Sequence, residues 1–226
     1  MRILAFDAST EACSAALLEG GACIERYAEL GSGHSERLIA MIDEVLAEGG
    51  TGLALLDGIA VGIGPGAFTG VRIGVAVAQG LAFGAKRRVL ALSTLEALAF
   101  AAAGAEPVLA CLDARMAEVY WACFRADAAR GVCATSAPRV GAVDQVRPPP
   151  GVRHRGVGRG FAAYPQLAAI AGVGVEPADA RALPRAAAFA RLGAIRLAAG
   201  ESLDAAELTP LYLRDKVALT EAERGV

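Results

Sequence analysis

Two apolar runs that each close on an aspartate set the frame for this chain: Arg2–Phe6 before Asp7, and Pro107–Leu112 before Asp113. Each is followed by a hairpin pattern. After the first come CSAALLE (13–19) and ACIERYA (22–28), with Gly20-Gly21 between them to supply the positive φ angles of a tight turn. After the second come VYWACF (119–124) and GVCAT (131–135), joined by a longer polar turn. Two such starts about 106 residues apart imply a duplicated α/β unit. Within the first unit the period changes after the hairpin. In residues 35–50, Leu38, Ile39, Ile42, Val45 and Leu46 recur at helical spacing, and Gly49-Gly50 ends the helix. GIAVGI (58–63) is a strand covered on both faces, residues 70–84 a second helix, and VLALS (89–93) another strand. Ser93 with Glu96 predicts a capping box for a third helix reaching Ala103. The order is three strands, helix, strand, helix, strand, helix. The second half is less regular, with PPPG (148–151), the Arg- and Gly-rich stretch 152–161, and a helix opened by Pro184 with Phe189, Leu192 and Ile195 on one face.

Composition narrows the classes of function. The chain has 226 residues, enough for one large or two small domains with a self-sufficient core. A net charge of −2 gives no strong field for polyanions. The longest uncharged stretches, Gly58–Val71 and Ile73–Ala85, fall short of the roughly 20 apolar residues of a spanning helix. Asp7 arrives before any signal-like apolar core forms. A soluble, cytoplasmic protein without a membrane segment is expected. The five cysteines, odd in number and without a C-x-x-C pair, read as buried reduced thiols.

Candidate chemistry is sparse. Asp7, Ser9 and Thr10 stand at a strand end, where a carboxylate and two hydroxyls can hold a metal-bound phosphate; the same side chains can equally bond only their own turn. The matching turn of the second half carries Ala114 and Arg115 beside Asp113, where a phosphate-wrapping loop would use glycine. The roles of Asp113, Arg115 and Tyr120 stay open beyond a junction between the halves. His34 and His154 stand far apart in sequence, so no H-x-x-x-H metal pair exists, and His34 reads as a cap or surface contact. Arg153, Arg155 and Arg159 can touch RNA phosphates or form a solvated loop.

The most unusual segment is GPGAFTGVRIG (64–74). It is neither a P-loop nor a G-x-G-x-x-G fingerprint. Gly70, Gly74 and Ala78 fall at i, i+4 and i+8, a small-residue groove that admits another backbone closely. Apart from Arg72 and Gln79 the helix is apolar all round, which calls for cover on every side, from its own chain or from a partner.

FDAST, GIGPGAFTGVRIGVAVAQGLAFG, LDARMAEVYWA and PLYLRDKVAL together resemble the TsaB family, nearly end to end and least strongly over 137–183. The family comprises bacterial partner subunits of the threonylcarbamoyl transferase TsaD, whose product is threonylcarbamoyladenosine next to the anticodon of tRNA. The resemblance implies an α/β, two-lobed actin-like (ribonuclease H-like) fold from a duplicated βββαβαβα unit with a degenerate second lobe. It divides the chain into 1–104, with the partner-binding helices, and 105–226, whose last helix packs back on the first lobe. It implies a heterodimer with a TsaD-type subunit, a homodimer when alone, a TsaE-type ATPase in the larger complex, and tRNA contacted indirectly. The implied interface holds His34, Leu38, Ile42, Gly70, Arg72, Ile73, Gly74 and Val77. Asp7, Ser9 and Thr10 become a vestigial nucleotide site, with no cofactor held tightly by this chain alone and ATP entering at the level of the complex. No catalytic residue or metal is expected, since the histidine pair of TsaD is missing and no nucleophile supports the older glycoprotease-like label. The alternative is a small actin-like ATPase or kinase using the cleft around Asp7.

Overall fold

The computed structural model describes residues 1–214, so the Asp215–Leu219 part of the carboxy-terminal motif lies outside the described residues. β1 (Arg2–Asp7), β2 (Ala12–Glu19) and β3 (Ala22–Glu29) form an antiparallel meander. Gly20 and Gly21, at φ 56° and 94°, close its two-residue turn and pair Glu19 with Ala22. The chain continues through α1 (His34–Glu48), β4 (Gly58–Gly62), α2 (Phe68–Ala85), β5 (Val89–Leu92) and α3 (Thr94–Ala101). β4 lies parallel to β1 and β5 to β4, giving the sheet order β3-β2-β1-β4-β5. The succession matches the one read from periodicity. Two details differ. On α1 it is Met41 that turns inward, while Ile39 is 52% exposed. At α3 only half of the capping box forms: Glu96 accepts the Ser93 backbone N–H, but the Ser93 hydroxyl makes no capping bond. Glu96 also pairs with Arg196, so its carboxylate is held from outside the helix.

The second half repeats the meander with β6 (Val108–Arg115), β7 (Glu118–Asp127) and β8 (Gly131–Ala134). Where the first half has α1, it has the short strand β9 (Arg139–Ala142), paired to the start of β7. β10 (Arg155–Val157) then lies parallel to β6, as β4 lies parallel to β1. The counterpart of α2 is reduced to α4 (Gly160–Ala163) and α5 (Leu167–Ala171), and that of β5 to one bridge between Arg155 and Gly174. α6 (Ala186–Ala198) completes the set. The consecutive prolines 148–150 cannot continue a helix or donate to a ladder, so this copy of the unit is degenerate.

The two α/β units are stacked in layers. Alternation along β1 splits the first core: Leu4 and Phe6 meet Leu38, Met41, Val71 and Val75 of α1 and α2, while Ile3 and Ala5 face the other way. That second face is covered by α6, through Phe189 and Leu192. α3 in turn packs on β6, β7 and β8. Among the described residues, the last helix of each unit therefore lies against the sheet of the other, and both sit between the sheets. The outer face of the second sheet, with Cys111, Trp121 and Cys123, is closed by Val146, Phe161 and Leu167. Cys13, Cys111 and Cys123 are buried as expected, whereas Cys23 and Cys133 are only partly covered because they lie on the outer strands β3 and β8.

α2 has the length and apolar content to cross a membrane, but Gly70, Val71, Gly74, Val75, Ala78 and Ala82 are buried against the first sheet. Its start rests on the turn after β1. Ala67 N–H donates to the Ser9 carbonyl at 2.6 Å, and a methyl group on Gly66 or Gly70 would overlap the carbonyl oxygen of Ser9 or Ala8. The glycines are there for close backbone approach. Gly70→Ala is expected to cost about 2–3 kcal/mol of unfolding free energy in urea titrations. Gly80→Ala, where an added Cβ meets nothing within 4 Å, is expected to raise it by about 0.5–1 kcal/mol.

Candidate functional site

The β1–β2 turn, the start of α2, the β6–β7 turn and residues 211–214 enclose a cleft of about 470 Å³. Ser9, Thr10 and His34 line one wall, and Asp113, Arg115 and Tyr120 the other. Asp7 does not reach the cleft; it is fully buried. One of its carboxylate oxygens takes the Ser9 N–H at 3.3 Å and the Ser9 hydroxyl at 3.0 Å. The other, Oδ1, faces Gly62 and has no hydrogen-bond partner. Burial pushes the carboxyl up to about 7. Thr10 Oγ1 accepts the Ala12 N–H at 3.1 Å. Apart from Asp7 Oδ1, the bonds made by this trio's side chains thus serve the turn, and the Gly64–Gly66 loop after β4 closes on Ser9 rather than opening a cradle. His34 is the first residue of α1, and its Nε2 lies 3.0 Å from the Thr10 carbonyl.

The opposite turn is built under strain. Arg115, Met116 and Ala117 all take positive φ, between 55° and 62°, with no glycine among them. Asp113 braces it by accepting the Arg115 N–H at 2.8 Å and the Tyr164 hydroxyl at 3.0 Å. The Arg115 guanidinium meets the same carboxylate at 3.2 Å but stays exposed. Tyr120 is half-buried.

The basic stretch does not gather into a patch. Arg155 makes a two-point pair with Asp179 at 2.5 and 2.9 Å, and Arg159 bridges Glu11 and Glu29 at 2.9 and 2.7 Å. Arg153 is exposed, with Glu106 at 3.8 Å. Two of the three cations are therefore spent within the molecule.

The interface residues drawn from the resemblance divide by which way they face. Leu38 and Ile42 are buried on α1 in the core under the first sheet. Gly70 faces the Ala8 backbone and Gly74 faces Val61 and the Gly62 carbonyl. In the free chain these four are covered by the chain itself, Leu38 and Ile42 in the core under the first sheet and Gly70 and Gly74 by the β1–β2 turn and β4. Arg72 is exposed, and His34, Ile73 and Val77 are half-buried. The same helix carries a second small-residue stripe, Ala76, Gly80 and Gly84, which is exposed and was not singled out from the sequence. An added Cβ at Gly80 or Gly84 would meet nothing within 4 Å. Phe83, 83% exposed, borders this stripe. The i, i+4, i+8 spacing of small residues fits both stripes, and only the direction of the sheet separates them.

A family model described as TsaD, tRNA N6-adenosine threonylcarbamoyltransferase, matches residues 28–153. The tRNA threonylcarbamoyladenosine biosynthesis protein TsaB of Escherichia coli is 36% identical over 96% of both chains. That of Haemophilus influenzae is 37% identical over 96% of this chain and 95% of its own. The chain belongs to the TsaB family. The solved structure of YeaZ from Pseudomonas aeruginosa is 38% identical, with a TM-score of 0.85 over 94% of this chain and 99% of that one. TsaB-family membership and that likeness carry the two-lobed actin-like α/β fold. Among the described residues, this TsaB-family chain has no group of three or more His, Cys, Asp or Glu placed to hold a metal.

Asp7 gives this TsaB-family chain a measurable signature. Its carboxyl binds a proton more tightly folded than unfolded, with about 7 set against 3.8. The stability this contributes is full below the unfolded value and is lost as pH rises through the folded one. Unfolding free energy measured by urea titration is therefore expected to decline between about pH 4 and pH 7 and to level off above that. The decline should be shallower in Asp7→Asn.

Proposed function

We propose that the chain is the non-catalytic partner subunit of a TsaD-type transferase, required for forming threonylcarbamoyladenosine in tRNA. The observation that carries this reading is the exposed side of α2. Ala76, Gly80 and Gly84 leave a shallow channel in which another helix can approach closely, and Ile73, Val77 and Phe83 supply apolar contact beside it. The other side of the same helix is already packed on its own sheet, so the exposed stripe is surplus to the fold. Arg72 and His34 belong to the same reading as polar contacts. One apolar face of this kind also serves self-association, so a homodimer in the absence of the TsaD-type subunit is part of the proposal. A TsaE-type ATPase in the larger assembly, indirect contact with tRNA and residence in the cytoplasm complete it. The division into 1–104, which holds the partner-binding helices, and 105–226 belongs here too, with α3 and α6 each packed across it.

ATP is assigned to the assembly and not to this chain alone. The carboxylate of Asp7 points at Gly62 beneath the turn, and the opposite turn carries Arg115 where a phosphate loop would carry glycine. These residues do not fit a tightly held nucleotide, which disfavours an independent ATPase or kinase.

The test uses positions that are open in the free chain. Ala76→Arg and Gly80→Arg are expected to leave the melting temperature within a few degrees. They should weaken association with the TsaD-type subunit by on the order of a hundredfold in light scattering or calorimetry, since unpaired charge would be buried. Threonylcarbamoyladenosine formation by the mixture should fall with it. Normal binding by both variants would remove α2 from the interface. Gly74→Glu would not serve, because it strikes the chain's own β4.

A further inference from the structure

The segment after α6 returns along the first unit and then crosses to the second. Arg88 holds it at Ser202 and Asp204, Val89 bridges Leu203, and Gln79 donates to the Leu208 carbonyl at 3.0 Å. Leu208 is buried under α2. Leu211 N–H then donates to the Ile63 carbonyl at 2.8 Å, at the mouth of the cleft.

The next residues touch both walls. The Tyr212 hydroxyl accepts from Arg72 Nε at 2.7 Å, and its ring lies 5.7 Å from that of Phe68. The Arg72 guanidinium sits 3.5 Å over the Phe68 ring, so three side chains are stacked at the exposed start of α2. Two residues on, Arg214 reaches the β6–β7 turn, donating to the Ala114 carbonyl at 3.2 Å and pairing with Glu118. That turn is the strained one, which Asp113 braces through the Arg115 N–H and the Tyr164 hydroxyl.

We infer that residues 211–214 are a strap that couples the exposed start of α2 to the far wall of the cleft. One end grips Phe68 and Arg72, the other steadies Ala114–Glu118, and the three-residue span leaves little slack between them. The inference goes beyond the partner reading and does not depend on it. A group that engages Arg72 or Phe68 from outside alters the grip on Tyr212, and through Arg214 the order of the opposite turn. Arg159, bridging Glu11 and Glu29, ties the two units at a separate point and does not touch the strap.

Amide hydrogen exchange on the full chain, without any partner, tests this. Arg72 lies on α2 and its partner beyond the first unit is Tyr212 of the strap itself. Arg72→Ala is expected to speed exchange in peptides covering Asp113–Glu118 by about three- to tenfold, as local opening becomes easier. Arg214→Ala is expected to do the same, and the double variant no more than Arg214→Ala alone, because both act through one connection. Tyr212→Phe, which keeps the ring on Phe68 and loses only the hydroxyl, is a milder third variant that should move the same peptides. If the effect of Arg72→Ala stops at α2 and 211–214 while Asp113–Glu118 exchanges at the wild-type rate, the coupling is wrong. Fully additive effects would overturn it as well.

Discussion

The contact on which the rest turns is backbone against backbone. The start of α2 lies directly on the Ala8–Ser9 turn, with Gly66 and Gly70 at the points of closest approach and the Ala67–Ser9 hydrogen bond between them. Three consequences follow from that one seat. It fixes which side of α2 meets the sheet, and so which side is left over for another protein. It closes the turn over Asp7, so that this carboxylate is a buried acid and not a ligand. It also places the uncapped start of α2 at the wall of the cleft, within reach of the segment that crosses to the second unit.

Much of this architecture was legible in the sequence. The Gly20-Gly21 turn, the switch from period two to period 3.6 at residue 35, and the repeated run ending in aspartate each have a physical cause that acts over a few residues. The second unit was harder because its elements are short. β9, β10, α4 and α5 span three to five residues each, too few to display a period, and their stability comes from what they pack against. Which side of α2 stays open was not legible, for a related reason. Spacing places Gly70, Gly74 and Ala78 on one stripe and Ala76, Gly80 and Gly84 on another, but which stripe is inward depends on a sheet formed by residues elsewhere in the chain. The same holds for Leu38 and Ile42, whose apolar character suits a core and a partner face alike.

Charge tells a similar story. A run of arginines reads as a basic patch until its neighbours in space are known. Arg155 spends its charge on Asp179, 24 residues on, and Arg159 on Glu11 and Glu29 at the other end of the sequence. Glu96 has two partners, one on its own helix and Arg196 on another, and the local capping rule captures only the first. Local chemistry predicted the groups that need a partner; the fold chose the partner.

The exchange of α3 and α6 between the sheets bears on how the chain is made. As the polypeptide leaves the ribosome, the first sheet can assemble once β5 has emerged, but the helix that covers its inner face is encoded roughly a hundred residues later. During that interval the face that carries Ile3, Ala5, Ala60 and Leu90 lacks the cover of α6. The amino-terminal sheet by itself therefore presents an apolar face of the kind that chaperones and other nascent chains bind, and only α6 closes it.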